Sequence, residues 1–198
     1  MITLARILSY IIFGLFFRVE VVNAENVPEK GPAILCANHI GELDMFLIGY
    51  KIRRYVRYMA KEELFKIPVL SFFVRKLRAF PVKRGRVDIE SVKTALRLLN
   101  GGHIIGILPE GTRTRGKDRK DIRVKPGAAA IAVKAGVPII PVAIEGDYKL
   151  FSRIRVIFGK PFRIEANPER KYTNDELTEI SRNIMDGIYK LMEERKWK

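Results

Sequence analysis

The sequence predicts an α/β fold: a largely parallel sheet flanked by helices, with an N-terminal helical element suited to docking on a membrane. Three observations carry this reading. Short apolar runs bounded by turn residues alternate along the chain with stretches of helical periodicity. No linker divides the 198 residues, a length that suits one domain able to bury its own core. The chain also opens on an apolar stretch too short to cross a bilayer. Residues 1–18 are therefore expected to form a membrane-associated helix, and residues 19–198 the α/β domain.

Residues 7–17 carry no charge, a run of 11, whereas a spanning helix needs about 20. A helix lying in the interface fits this length, with Arg6 and Arg18 holding its ends near headgroups. An ordinary core helix and a signal peptide cleaved after Ala24 are the alternatives. Against the signal peptide, residues 19–22 read as a strand continuous with the rest of the domain. Residues 33–37 form a buried strand after the turn signal Glu29-Lys30-Gly31-Pro32. A helix over 43–53, a strand over 55–60 and helical turns over 62–65 and 69–76 come next. Asp88 can cap a helix through Leu99, with Ile89, Val92, Leu96 and Leu99 at helical spacing and Gly101-Gly102 as its stop. Residues 103–108 are a second buried strand. Pro126 suits a first helical turn, and residues 127–135 continue it. Residues 139–144 and 154–158 are strands. Thr173 and Glu176 make a capping-box pattern, opening a helix with the stripe Leu177, Ile180, Ile184, Ile188 and Leu191.

The net charge is +15, from 37 Lys/Arg against 22 Asp/Glu. Residues 51–86 hold twelve cations and two acids, and residues 113–125 hold seven and two, so these two segments carry the whole excess. An anionic partner is implied. In the first segment the cations interleave with aromatic residues such as Tyr55, Tyr58, Phe65, Phe72 and Phe73. That mixture suits an anionic membrane surface, and composition alone would equally suit single-stranded nucleic acid. The single cysteine, Cys36, excludes an intrachain disulfide, and with only two histidines the chain cannot build a closed zinc site from cysteine and histidine. No metal is expected.

The strand at 33–37 runs into Asn38-His39-Ile40-Gly41-Glu42-Leu43-Asp44. In α/β sheets, active groups gather beyond the carboxyl ends of strands. With His39 in the loop and Asp44 in the first helical turn, the chain can fold back and pair them. A carboxylate on one ring nitrogen fixes the tautomer, and the other nitrogen can then accept a proton. The bland alternative is a structural histidine beside a capping aspartate. Cys36 lies within the strand and reads as a small buried apolar residue; His103 reads as structural. No serine or cysteine stands out as a nucleophile beside His39.

Leu108-Pro109-Glu110-Gly111-Thr112-Arg113 ends another strand and can meet His39 at the same sheet edge. This segment and Asn38-His39-x₄-Asp44 together resemble the glycerolipid acyltransferase family, in particular its 1-acylglycerol-3-phosphate acyltransferases. Phe80-Pro81-Val82-Lys83-Arg84-Gly85 and Val137-Pro138-Ile139-Ile140-Pro141-Val142 match that family's second and fourth motifs in order, and the resemblance covers roughly residues 38–146. Lys61, Lys125 and Gly127 also match family positions. Two departures stand out: Gly41 occupies a position often held by serine, and Lys83 stands where an acid often precedes the arginine.

The resemblance implies acyl transfer from a thioester to the hydroxyl of a lysophospholipid, with acyl-CoA or acyl carrier protein as co-substrate and no cofactor. His39 would be the general base and Asp44 its orienting partner. Arg84 and Arg113 would bind the substrate phosphate, helped by Lys61 and Lys125. Glu110 would bond a substrate hydroxyl or position Arg113, and N–H groups near Gly41 or Gly111 would hold the oxyanion. The expected partners are membrane phospholipid and lysophospholipid, not nucleic acid, and the expected place is the cytoplasmic face of the cell membrane, without spanning. A related enzyme acting on glycerol-3-phosphate or another lysolipid fits the same motifs. A non-catalytic module binding RNA or anionic lipid would use the charge but leave the two motifs without a role.

Overall fold

A computed structural model of the protein describes residues 2–83, 88–167 and 169–194. The elements are α1 (Ile2–Phe16), β1 (Arg18–Val22), β2 (Ala33–Ala37), α2 (Asp44–Gly49), β3 (Val56–Lys61), α3 (Pro68–Lys76), β4 (Phe80–Val82), α4 (Ile89–Asn100), β5 (Ile104–Ile107), α5 (Gly127–Ala135), β6 (Ile139–Gly146), β7 (Arg153–Phe158) and α6 (Asn174–Glu194). Seven strands form one sheet in the order β1-β7-β6-β2-β5-β3-β4. Every neighbouring pair is parallel except β6 and β7. The six-residue link between β6 and β7 is too short for a crossover, so β7 must return antiparallel. The expected α/β fold with a largely parallel sheet is what forms.

Helices cover both faces, which is why β2 and β5, adjacent at the middle of the sheet, carry no polar side chain. All five residues of β2 are buried. Ala33, Leu35 and Ala37 pack on one face with Phe13 of α1 and Leu47 of α2. Ile34 and Cys36 pack on the other with Ala95 of α4, Ile131 of α5 and Ile184 of α6. The caps form where the sequence signals them. The Asp88 carboxylate accepts from the Glu90 N–H, and Thr173 and Glu176 bond reciprocally at the start of α6. Gly136 closes α5 at φ 58°, a left-handed geometry that glycine adopts without strain.

Two elements differ from expectation. The helix expected over 43–53 stops at Gly49. Ile52 is drawn into the core, and the Arg54 guanidinium is tied to the carbonyls of Pro28, Gly31 and Gly102, so tertiary bonds override helical pattern. The short β4, not expected as a strand, pairs with β3 through Met59↔Phe80 to Lys61↔Val82. Its Pro81 is tolerated because β4 is the sheet edge.

The element α1 is a poor core helix. Only Ser9 and Phe13 are buried, while Leu4, Ile7, Leu8, Ile11, Leu15 and Phe16 are exposed. It continues into β1, which pairs with β7 over five residues. Cleavage after Ala24 would remove a strand of the sheet. Among the described residues, no helix is long and apolar enough to cross a membrane.

Candidate active site

Because β2, β3, β4, β5 and β6 all run the same way, their carboxyl ends lie along one edge of the sheet. Beyond β2 the chain leaves the ladder at Asn38. Its buried side-chain amide accepts from the Ile144 N–H at 2.7 Å and donates to the Ile144 carbonyl at 2.9 Å. The amide thus stands in for one more strand pairing and frees the next residue to turn.

That residue is His39, and its backbone is held on both sides. Its N–H donates to Glu110 Oε2 at 2.8 Å, and its carbonyl accepts from the Thr114 N–H at 2.9 Å. The ring is held as well: Nδ1 lies 2.7 Å from Asp44 Oδ2. The same oxygen accepts the N–H groups of Ile40 at 2.8 Å and Gly41 at 3.0 Å. Asp44 Oδ1 accepts the Tyr148 hydroxyl at 2.6 Å. Asp44 is wholly enclosed, whereas the His39 side chain keeps 15% of its surface. A carboxylate accepting at Nδ1 puts the proton there and leaves Nε2 as the acceptor. Among the described residues nothing bonds Nε2. The loop thus presents one ring nitrogen, with a lone pair, outward.

Glu110 is buried behind this loop. Oε2 takes the His39 N–H and the Thr114 hydroxyl, and Oε1 takes the Tyr189 hydroxyl from α6 at 3.0 Å. Burial raises its pKa above the usual carboxylate value, and those three bonds oppose the rise. The expectation that Glu110 meets a substrate hydroxyl or positions Arg113 does not fit this placement. Its bonds run inward, and Arg113 pairs with Glu42 instead. The N–H groups of Gly41 and Gly111 are likewise engaged, with Asp44 Oδ2 and with the Leu108 carbonyl, so neither stands free for an oxyanion.

Of the expected phosphate ligands, Lys61 ends β3, and its ammonium lies 3.4 Å from Glu63. Arg113 is exposed and paired with exposed Glu42. The Lys125 N–H donates to the Pro109 carbonyl, and its side-chain stem lies beside Gly111. Topology brings these three to the active edge. Arg84 lies outside the described residues. His103 sits at the opposite end of β5, 3.0 Å from Arg57, and burial with that cationic surround lowers its pKa, in keeping with a structural role. Tyr148, which bonds Asp44, and Tyr189 and Thr114, which bond Glu110, are neighbours that sequence reasoning does not single out. Only the position of Tyr148 just past a strand end would have marked it.

An imidazole buttressed by a carboxylate stands at the carboxyl edge of a parallel sheet beside a Pro-Glu-Gly-Thr-Arg loop, an arrangement able to take a proton from a hydroxyl. The chain belongs to the acyltransferase family, whose model matches residues 18–145. It is 36% identical over 157 residues to the 1-acyl-sn-glycerol-3-phosphate acyltransferase of Bacillus subtilis, covering 76% of this chain and 77% of that protein. It is 29% identical over 186 residues to the protein of the same name from Borreliella burgdorferi, covering 89% and 72%. Among solved structures it is similar to the 1-acyl-sn-glycerophosphate acyltransferase PlsC of Thermotoga maritima. That likeness has a TM-score of 0.73 and 26% identity, over 100% of this chain and 81% of that one.

Proposed function

We propose that this chain transfers a fatty acyl group from a thioester to the free hydroxyl of 1-acylglycerol-3-phosphate, yielding phosphatidic acid and a free thiol. The observation that carries the reading is the His39–Asp44 pair at 2.7 Å with Nε2 outward, in a chain whose relatives bear that activity in their names. His39 Nε2 takes the proton of the acceptor hydroxyl as its oxygen attacks the thioester carbonyl carbon. Asp44 supports the imidazolium that forms. The carbon–sulfur bond then breaks, and the leaving thiolate takes the proton back. No acyl-enzyme is needed. The Cys36 thiol is buried in β2 and burial pushes its pKa up to about 12, and the Thr114 hydroxyl already bonds Glu110. The test is an acyl-transfer assay on membranes with acyl-CoA and with acyl carrier protein as donors. The acceptors are lysophosphatidic acid, glycerol-3-phosphate and other lysophospholipids; absence of transfer to lysophosphatidic acid would overturn the assignment.

Arg113, with Lys61, Lys125 and Arg84, binds the acceptor phosphate. The Arg113–Glu42 pair is exposed on both sides, so a dianionic phosphate can compete for the guanidinium fork. Arg113→Ala is expected to lower kcat/KM for the acceptor about tenfold, a loss reduced by solvent exposure. Kinetics at fixed donor check this; an unchanged acceptor kcat/KM removes Arg113 from the phosphate site.

The acyl chains and the membrane meet the same side of the molecule. An apolar cavity of about 260 Å³ between α1, α2 and α3 is lined by Leu8, Ile12, Phe13, Phe46, Phe73 and Leu77, and it suits a fatty chain. The exposed apolar side chains of α1 are joined by Val69, Phe72 and Phe73 of α3, and by Leu150 and Phe151 between β6 and β7. Phe151 is tied to α1 through its N–H and the Phe16 carbonyl. Fifteen residues make α1 about 22 Å long, against a hydrocarbon core of about 30 Å. We read the protein as lying on one leaflet, at the cytoplasmic face, with Arg75 and Lys76 in the last turn of α3 toward anionic headgroups. It should sediment with anionic vesicles at low salt and only partly dissociate at high salt. Ile11→Asp with Leu15→Asp, both at exposed positions, should remove the salt-resistant fraction. Retention of that fraction in the double variant would show that α1 is not the anchor.

A further inference from the structure

The Asp44 carboxylate is served unequally. Oδ2 takes three donors, from His39, Ile40 and Gly41, while Oδ1 takes only Tyr148 among the described residues. We infer that Tyr148 is a positioning residue of the acyl transfer, its hydroxyl holding Asp44 in the orientation that in turn holds His39. This rests on the reading of His39 as the base.

The placement of Tyr148 is built from several directions. The ring lies against Gly41, where a β-carbon would come within 2.5 Å of Cε2. The absence of a side chain at 41 is thus the condition for the ring to reach Asp44. This also accounts for glycine at a position where the family resemblance leads one to expect serine. On its other side the ring meets Phe17 edge-on, with centroids 6.0 Å apart. The loop carrying it is pinned by Phe151 N–H to Phe16 and by Arg18 N–H to Ser152. Asp147 anchors the same loop to Arg115 at 2.6 Å. Burial and the Asp44 charge both raise the phenol pKa, so the hydroxyl remains a donor. A tyrosine that only filled space would need neither the 2.6 Å bond to the catalytic carboxylate nor a glycine beneath it.

Tyr148→Phe keeps the ring over Gly41 and removes one oxygen, so the fold is retained. The expected result is a kcat about tenfold lower, with both KM values within about twofold of wild type. The acidic limb of the kcat/KM profile moves to higher pH, because a carboxylate short of one donor presents more negative charge to the imidazole. Among the described residues, the other titratable and charged groups around the pair are Glu42 with Arg113 in and beside its loop, Tyr58 of β3, Glu110 behind His39, and Asp147, Lys149 and Arg115 around the Tyr148 loop; the substitution leaves all of them in place. Gly41→Ala should displace the ring, so Gly41→Ala combined with Tyr148→Phe should lose no more than Gly41→Ala alone.

A second readout is independent of turnover. With only two histidines in the chain, the imidazole N–H proton of the His39–Asp44 bond can be assigned by its loss in His39→Ala. Its proton resonance should shift in Tyr148→Phe. The positioning role is overturned if kcat, pH profile and that resonance all stay at wild-type values. A shifted resonance in a protein that transfers no acyl group would instead support the positioning geometry while overturning the proposed reaction.

Discussion

His39→Ala is expected to lower kcat by about 10²–10⁴-fold, the usual contribution of a positioned general base, with little change in thermal stability. The fold should survive because the bonds that hold this loop on the Glu110 side run through the backbone of residue 39, to Glu110 and Thr114, and alanine keeps both. Only the ring, with its outward nitrogen, is lost. Asp44→Ala should be comparably inactive but also less stable, since it strands two backbone N–H groups and the Tyr148 hydroxyl in an enclosed site. Initial rates and melting curves of the two variants separate these effects. If His39→Ala keeps more than about a hundredth of wild-type kcat, the general-base role fails.

Glu110→Ala is expected to cost both stability and activity without touching substrate. Three donors converge on this buried carboxylate: the His39 N–H, the Thr114 hydroxyl and the Tyr189 hydroxyl. Removing their acceptor leaves buried polar groups unpaired at about 1–3 kcal/mol each, so a total loss of about 3 kcal/mol or more is expected on denaturant titration. The His39 loop, released on one side, should lower kcat with it. The pH dependence has a definite sign. Burial raises the Glu110 pKa above 4.5, so the native state holds this proton more tightly than the unfolded chain. Its contribution to stability is fully present below the unfolded value and is lost as pH rises through the raised native value. Glu110→Gln should flatten that decline; an unaltered stability–pH curve would show that Glu110 does not titrate in this window.

Much of the fold is legible because local and global signals agree. The strand at 33–37 is apolar throughout, and it is buried on both faces. Asp88 and the Thr173–Glu176 pair stand where caps are needed and form them. The exceptions have tertiary causes. Nothing near residue 50 announces that Arg54 will bond three distant carbonyls and end a helix. A three-residue edge strand containing proline carries almost no periodic signal. The candidate site divides in the same way. The pairing of His39 with Asp44 is readable because the two lie only five positions apart in the chain. The role of Glu110 is not, since its direction depends on a hydroxyl from α6. The roles of Gly41 and Tyr148 are not, because each has meaning only beside the other.

The bonds that hold the His39 loop have a kinetic consequence. Asn38 reaches Ile144, 106 residues away; Asp44 meets Tyr148 across 104; Glu110 meets Tyr189 across 79 and His39 across 71. Contacts of such sequence separation carry a large loop-closure entropy and are expected among the last to form. Early collapsed species can contain helices while the imidazole still lacks its supports, since the β2–β6 pairing beneath it is itself long-range. On refolding from denaturant, recovery of acyl transfer should therefore trail recovery of helical circular dichroism, with enzyme activity reporting the final closure of the chain.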